Sequence, residues 1–253
     1  MTPVALTFVE AARSGRSTLL AFPLIAGLFY QIQSAGLVFP LFWLALILSG
    51  HARLDHVAAR IDRARAEATL FAVLAGYALP TALMLILQDP MVTAAWYLLP
   101  AWMWIAQAAY IFVRPSSSSS SRYNTSGYRA VQTTFIFTFI TSAISHISVI
   151  WAVKDVTLLR GLYVPPIVPV DPATTDLKLA VRVTLQWDNV FTLGSSLLGT
   201  LWFARNAKQT VLIALWNVVA TVVVGPGAAV SGVLLWREWA LNGRAREEVK
   251  NKW

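Results

Sequence analysis

Long apolar runs, each closed by a short polar or proline-bearing stretch, recur from one end of the chain to the other, and their lengths suit bilayer-crossing helices. The first run, from Thr18 to Leu48, exceeds the roughly 20 residues that a crossing needs, so it is expected to tilt or break, with kinks at Pro23 and Pro40. A polar stretch from His51 to Glu67 follows, with Arg53, Arg60, Arg63 and Arg65 among Asp55, Asp62 and Glu67. That alternation predicts a short surface helix at the lipid headgroups. Thr69–Leu87 and Val92–Val113 read as a hairpin of spans joined at Asp89-Pro90. Arg114 and a serine run then open a flexible loop over 115–127, because serine cannot bury apolar area.

A fourth span covers Val131–Val153, and a proline-rich loop, 160–176, lies within the connection that leads to a fifth. The fifth begins unusually polar, with Arg182, Gln186, Asp188 and Asn189 ahead of Val190–Ala204. The last, Thr210–Trp239, contains Gly225-Pro226-Gly227 and is expected to kink there. The pattern therefore predicts an all-α, polytopic integral membrane helix bundle of about six transmembrane helices, kinked in the first and last, forming one domain over 1–253. The first run is too long for the apolar core of a cleaved leader and reads as a signal anchor.

Composition agrees with a lipid solvent: 57% of the residues are hydrophobic and only 13% are charged, about half the usual charged share. The net charge of +8 raises the question of nucleic acid. The basic residues, however, fall in short loops and the C-terminal tail rather than on one face, which fits membrane lipids as partners and no nucleic acid. They divide nearly evenly between the two sides, so charge sets no orientation. There is no cysteine, hence no disulfide and no thiolate ligand. Phosphate-cradling glycine loops, H-E-x-x-H, G-x-S-x-G and D-D-x-x-D are all missing, which disfavours nucleotide use, metal-assisted hydrolysis and metal-held diphosphate chemistry. No metal site or cofactor is expected.

Ionisable and amide groups at membrane depth are costly and become the candidates for chemistry. Asp188 ranks first, flanked by Gln186 and Asn189; burial among apolar neighbours would keep its carboxyl protonated, as a general acid requires. The competing reading is an interfacial aspartate that caps a helix start. His146, inside the fourth span, suits proton relay or a bond to a carbonyl. Gln31 and Gln33 suit a ligand oxygen or contact between helices. Glu10 with Arg13 reads as interfacial, and the neighbours Lys154–Asp155 and Arg237–Glu238 read as exposed ion pairs. Eleven tryptophans mostly suit an interfacial belt, while Trp187, Trp104 and Tyr77 could turn their rings toward a cationic intermediate, each contact worth roughly 0.5–2 kcal/mol.

Gly27-Leu-Phe-Tyr-Gln31, Phe39-Pro40-Leu41-Phe42, Gly76-Tyr77-Ala-Leu-Pro80-Thr81, Leu185-Gln186-Trp187-Asp188 and Leu201-Trp202 together resemble the fungal multi-span terpene cyclases of the ascofuranone type. That resemblance implies metal-free cyclisation of a farnesyl chain, often epoxidised and attached to an aromatic or polyketide head, by a protein of the endoplasmic reticulum. It assigns Asp188 as the acid, Gln31 or His146 as its orienting group or final base, and Tyr77 and Trp187 as pocket walls. Two other classes fit the pattern: a non-enzymatic transporter or membrane scaffold, and a sterol-type double-bond isomerase.

Overall fold

The computed structural model describes residues 1–54, 58–114, 127–167 and 176–250, so most of the serine-rich loop and part of the proline-rich loop lie outside the described residues. The fold is all-α. Its helices are α1 (Thr2–Ala12), α2 (Pro23–Ile32), α3 (Ala35–Leu48), α4 (Arg63–Phe71), α5 (Leu79–Leu87), α6 (Pro90–Trp96), α7 (Leu99–Val113), α8 (Tyr128–Val153), α9 (Val156–Tyr163), α10 (Leu177–Thr200), α11 (Ala207–Val223) and α12 (Pro226–Lys250). A π-helical stretch, Ala72–Ala78, joins α4 to α5. Among the described residues the one strand-like contact is the bridge between Arg13 and Ile61.

Two uninterrupted helices, Arg63–Leu87 and Tyr128–Val153, are long and apolar enough to cross a membrane; α6 and α7, bent by 64°, make a third if taken as one span. Of the about six expected spans, two or three are thus long, apolar helices among the described residues, and α1, α2, α3 and α11 are shorter apolar helices. The largest revision concerns the first run. Its two ends meet, since the Ser17 backbone N–H donates to His51 Nε2 at 3.0 Å, and Tyr30 stacks on Phe39 across the turn, centroids 5.7 Å apart. Helices α2 and α3 thus form a hairpin. The break falls at Gln33–Ser34, not at the prolines. Pro23 opens α2, where no N–H is needed, and Pro40 is carried inside α3. Ser34 supplies the helix start by accepting from Leu37 N at 3.2 Å.

The last run is likewise a hairpin rather than a kinked helix. Gly225 adopts φ +91°, a conformation open to glycine, and Pro226 starts α12. Trp216 Nε1 then donates back to Ala229 O at 2.9 Å, which fixes α11 antiparallel to α12. The polar stretch after His51 forms a 3-10 turn, His51–Arg53, and from Arg63 onward is already the start of the second span, with no separate surface helix among the described residues between them. The third span bends between Trp96 and Leu99, before Pro100.

Helix α1 occupies the centre of the bundle. Ten of its eleven residues are buried, as expected of a helix apolar on all sides, and it packs against α4, α8 and α12. Thr2 Oγ1 and Thr138 Oγ1 both lie 2.9 Å from Ser231 Oγ, tying α1, α8 and α12 together through short polar side chains. Close approach elsewhere relies on glycine. A Cβ on Gly76 would lie 2.5 Å from the Met103 Cα on α7, where only backbone could yield. Gly76→Ala is therefore expected to cost about 1–3 kcal/mol, read as a lowered unfolding midpoint in detergent.

Candidate functional site

Helix α10 presents two polar faces, and they look in different directions. Asp188, Ser196 and Gly199, on one stripe at helical spacing, face α3. There Trp43 Nε1 donates to Ser196 Oγ at 3.0 Å, and Gly199 receives the Trp43 ring closely enough that a Cβ would meet it at 2.3 Å. At the top of the stripe Asp188 Oδ1 accepts from Gly36 N at 2.5 Å. Asp188 is half-buried and satisfies an amide in the first turn of α3, one of the donors that a helix start leaves unpaired. Asp188 lies midway along α10, whose N-cap is Asp176, so it does not cap its own helix start; the contact is made across helices to α3.

The second face carries Lys178, Arg182, Gln186 and Asn189 and lines a cavity of about 730 Å³ bounded by α9, α10 and the start of α12. Leu162, Val181, Leu185 and Leu193 supply much of its apolar wall, a size and composition typical of small-molecule sites. Gln186 is buried, and its Nε2 donates to Gly161 O at 2.7 Å and Leu162 O at 2.9 Å. Those are carbonyls of the last turn of α9, so Gln186 pins the end of that helix. Asn189 is exposed, and its Nδ2 donates to Leu185 O at 3.0 Å within α10. Among the described cavities, none is lined by Asp188.

Tyr163, also on the cavity wall, lies with its hydroxyl 3.1 Å from His146 Nδ1, and His146 Nε2 lies 3.2 Å from Val222 O. A carbonyl only accepts. In neutral imidazole Nε2 therefore carries the proton, Nδ1 is the acceptor, and Tyr163 donates. Once His146 is protonated both nitrogens donate, and the phenol proton is released to point elsewhere. The expected relay role for His146 thus acquires a partner that the sequence did not suggest, because α9 folds back alongside α8 after Lys154 adopts a left-handed φ of 52°. Asp155 caps α9 by accepting from Thr157 N at 2.7 Å, and Lys154 sits 5.1 Å from the Trp151 ring. Each of this pair turns to its own neighbour.

The remaining expected residues are scattered. Tyr77 lies in the π-helical stretch and packs on the core, while Gln31 is half-buried in the α2–α3 hairpin. Trp187 stacks on Phe191 with centroids 5.6 Å apart. Trp104 is exposed on α7, in keeping with a belt position. Tyr30, not singled out from the sequence, has a buried hydroxyl with no partner among the described residues.

The larger omission is a buried charge network. Glu10 and Arg13 are fully buried, and Arg237 and Glu238 nearly so, which corrects both the interfacial and the exposed readings. Arg13 Nε bonds Glu10 Oε1 at 2.9 Å and its Nη2 bonds Glu238 Oε1; Arg237 Nη1 bonds Glu10 Oε1 at 2.6 Å. Backbone carbonyls complete the set, with Arg13 Nη1 on Ala59 O at 2.7 Å and Arg237 Nη2 on His51 O at 2.8 Å. The Arg237 guanidinium lies 4.2 Å from the Phe203 ring centroid. One signal was present in the sequence: adjacent opposite charges inside the apolar 226–241 run cannot both face lipid.

A family model described as the CtvD domain matches residues 2–241. Comparison with curated proteins and with solved structures returns no match in either case. The match spans nearly the whole chain, including the α2–α3 hairpin, the cavity and the buried charges, and on that basis the chain belongs to the CtvD-domain family.

Proposed function

We propose that this protein is a membrane-embedded, metal-independent terpene cyclase that protonates an epoxide or alkene of a farnesyl-type chain and guides the carbocation to ring closure. Its family supports a role in a fungal terpenoid pathway. The observation that carries the chemistry is Tyr163 on the wall of a largely apolar cavity of about 730 Å³, its hydroxyl paired with His146 behind it. With His146 protonated, the Tyr163 proton moves to the epoxide oxygen as the C–O bond opens. An internal alkene then supplies the electron pair that closes the ring. The last cation loses a C–H proton to the Tyr163 oxygen, so the sequence of steps is an isomerisation with the enzyme restored. The substrate is a lipophilic prenylated molecule drawn from the bilayer, and the endoplasmic reticulum suits it.

In this reading Asp188 positions the α2–α3 hairpin instead of donating the proton. Asparagine at 188 keeps an oxygen for the Gly36 amide. Microsomes carrying Asp188→Asn and given a farnesylated epoxide are therefore expected to retain turnover within about tenfold of wild type, since the contact at stake is worth about 1 kcal/mol. A loss of a hundredfold or more in correctly inserted protein would return the acid role to Asp188. Failure of the wild type to form any product of unchanged mass would end the cyclase reading.

A transporter is the second reading. It is favoured by one observation: a broken α2–α3 hairpin whose helix start meets a carboxylate on a neighbouring helix, as in carriers built from discontinuous helices. Uptake of a prenylated compound into proteoliposomes without chemical change would support it. NMR of a product formed from a sterol-like olefin would distinguish double-bond migration from ring closure.

A further inference from the structure

At the end of the bundle that holds Arg13 and Arg237, two cavities adjoin. The first, about 290 Å³, lies between the His51–Arg53 turn, the Leu201–Phe203 turn and α12, and is lined by Arg53, Arg205 and Arg237 together with Phe203, Trp236 and Trp239. The second, about 770 Å³, runs between α8, α11 and α12, walled by Phe139, Leu212, Ile213, Trp216, Val233 and Leu235. Gln209 and Trp236 belong to both. A cationic cup therefore continues directly into an apolar groove.

The charge in the cup is not all equivalent. Arg237 is nearly buried and is paired with Glu10. Arg53 and Arg205 are exposed, and among the described residues no carboxylate lines the cup. Lys208 stands at the mouth of the groove beside Asn206, which starts α11 by accepting from Gln209 N at 2.9 Å. The positive end of that helix thus points to the same junction.

We propose that the cup and groove hold one anionic phospholipid of the surrounding bilayer, its phosphate against Arg53 and Arg205 and an acyl chain along the α11–α12 groove. A free phosphate would leave the groove without an occupant, and a wholly apolar ligand would leave two guanidiniums unanswered. A zwitterionic headgroup would bring its own cation against them. The tryptophans at the junction suit the level where headgroup meets chain. The inference is independent of the chemistry in the α9–α10 cavity.

The test uses the full-length protein reconstituted in nanodiscs of phosphatidylcholine alone or with phosphatidylglycerol. Retained phospholipid is read by native mass spectrometry after detergent release, and thermal midpoints are measured in both lipids. The wild type is expected to retain phosphatidylglycerol selectively and to unfold at a higher midpoint when it is present. The double variant Arg53→Gln, Arg205→Gln is expected to retain it about 10- to 30-fold less, with an unchanged midpoint in phosphatidylcholine alone showing that it folds. Equal retention of phosphatidylcholine by the wild type would overturn the proposal. So would undiminished retention by the variant, or stabilisation by soluble inorganic phosphate equal to that by phosphatidylglycerol.

Discussion

Replacing Arg13 with alanine should destabilise the fold by about 3–5 kcal/mol, the range for removing one partner from a buried ion pair. Its guanidinium is fully buried, bonds Glu10 on one side and Glu238 on the other, and also holds the Ala59 carbonyl. Without it Glu238 loses that partner and Glu10 retains Arg237. The two carboxylates stay in a setting where water cannot replace the lost bonds, and the end of the central helix loses its side-chain bonds to Glu238 on α12 and to the Ala59 carbonyl. In detergent this should lower the unfolding midpoint by roughly 10 °C, with poor yield of folded protein. A midpoint within two or three degrees of wild type, about the effect of an exposed pair, would show that the network contributes little. The companion variant Arg13→Met, Glu238→Gln separates charge from packing: it leaves no lone carboxylate at 238 and should recover much of the loss.

Tyr163→Phe should lower cyclisation about 10²- to 10⁴-fold, the span expected for losing a positioned general acid, while leaving stability within about 1.5 kcal/mol, the scale of one hydrogen bond. The phenol on the cavity wall pairs with His146, and phenylalanine keeps the ring while removing the hydroxyl proposed to deliver the proton. His146→Gln should fall in the same range, and the double variant should lose little more than either single one, because groups acting as a unit are not additive. Product yield per inserted protein, by mass spectrometry, is the measurement. Normal turnover in Tyr163→Phe would remove this pair from the reaction.

Helical class and membrane solvent were legible because they depend on composition and run length alone. Helix α8 appeared almost where the apolar run from Val131 to Val153 indicated, since an uninterrupted run with no Gly, Pro, Asn or Asp has few other options. The hairpins were not legible. Thirty-one residues from Thr18 to Leu48 are apolar enough for a crossing, and the turn at Gln33–Ser34 needs only a serine cap and a distant carboxylate. The break is stable because Asp188, 152 positions away from Gly36, meets an amide of the new helix start. Periodicity contains no such term.

The same reasoning applies to the candidate site. Sequence singled out Gln186, Asp188 and Asn189 as neighbours in the chain, but residues two apart on a helix point in nearly opposite directions. The fold sends Asp188 to α3 and Gln186 to the end of α9. Tyr163 passed unnoticed because nothing in a short amphipathic helix marks one phenol for a histidine seventeen residues earlier. Glu10 and Arg237 lie 227 positions apart, and each alone resembles an interfacial charge.

Residue types and their order along the chain were enough to specify a helical protein of the bilayer, because transfer of apolar side chains out of water is a local quantity that sums along a run. Which runs cross and which turn back, which charges are shielded, and which polar groups share a cavity were decided by tertiary packing. Those outcomes depend on pairwise contacts between helices remote in the chain, where a carboxylate, an amide or a guanidinium is stable only once its partner has arrived.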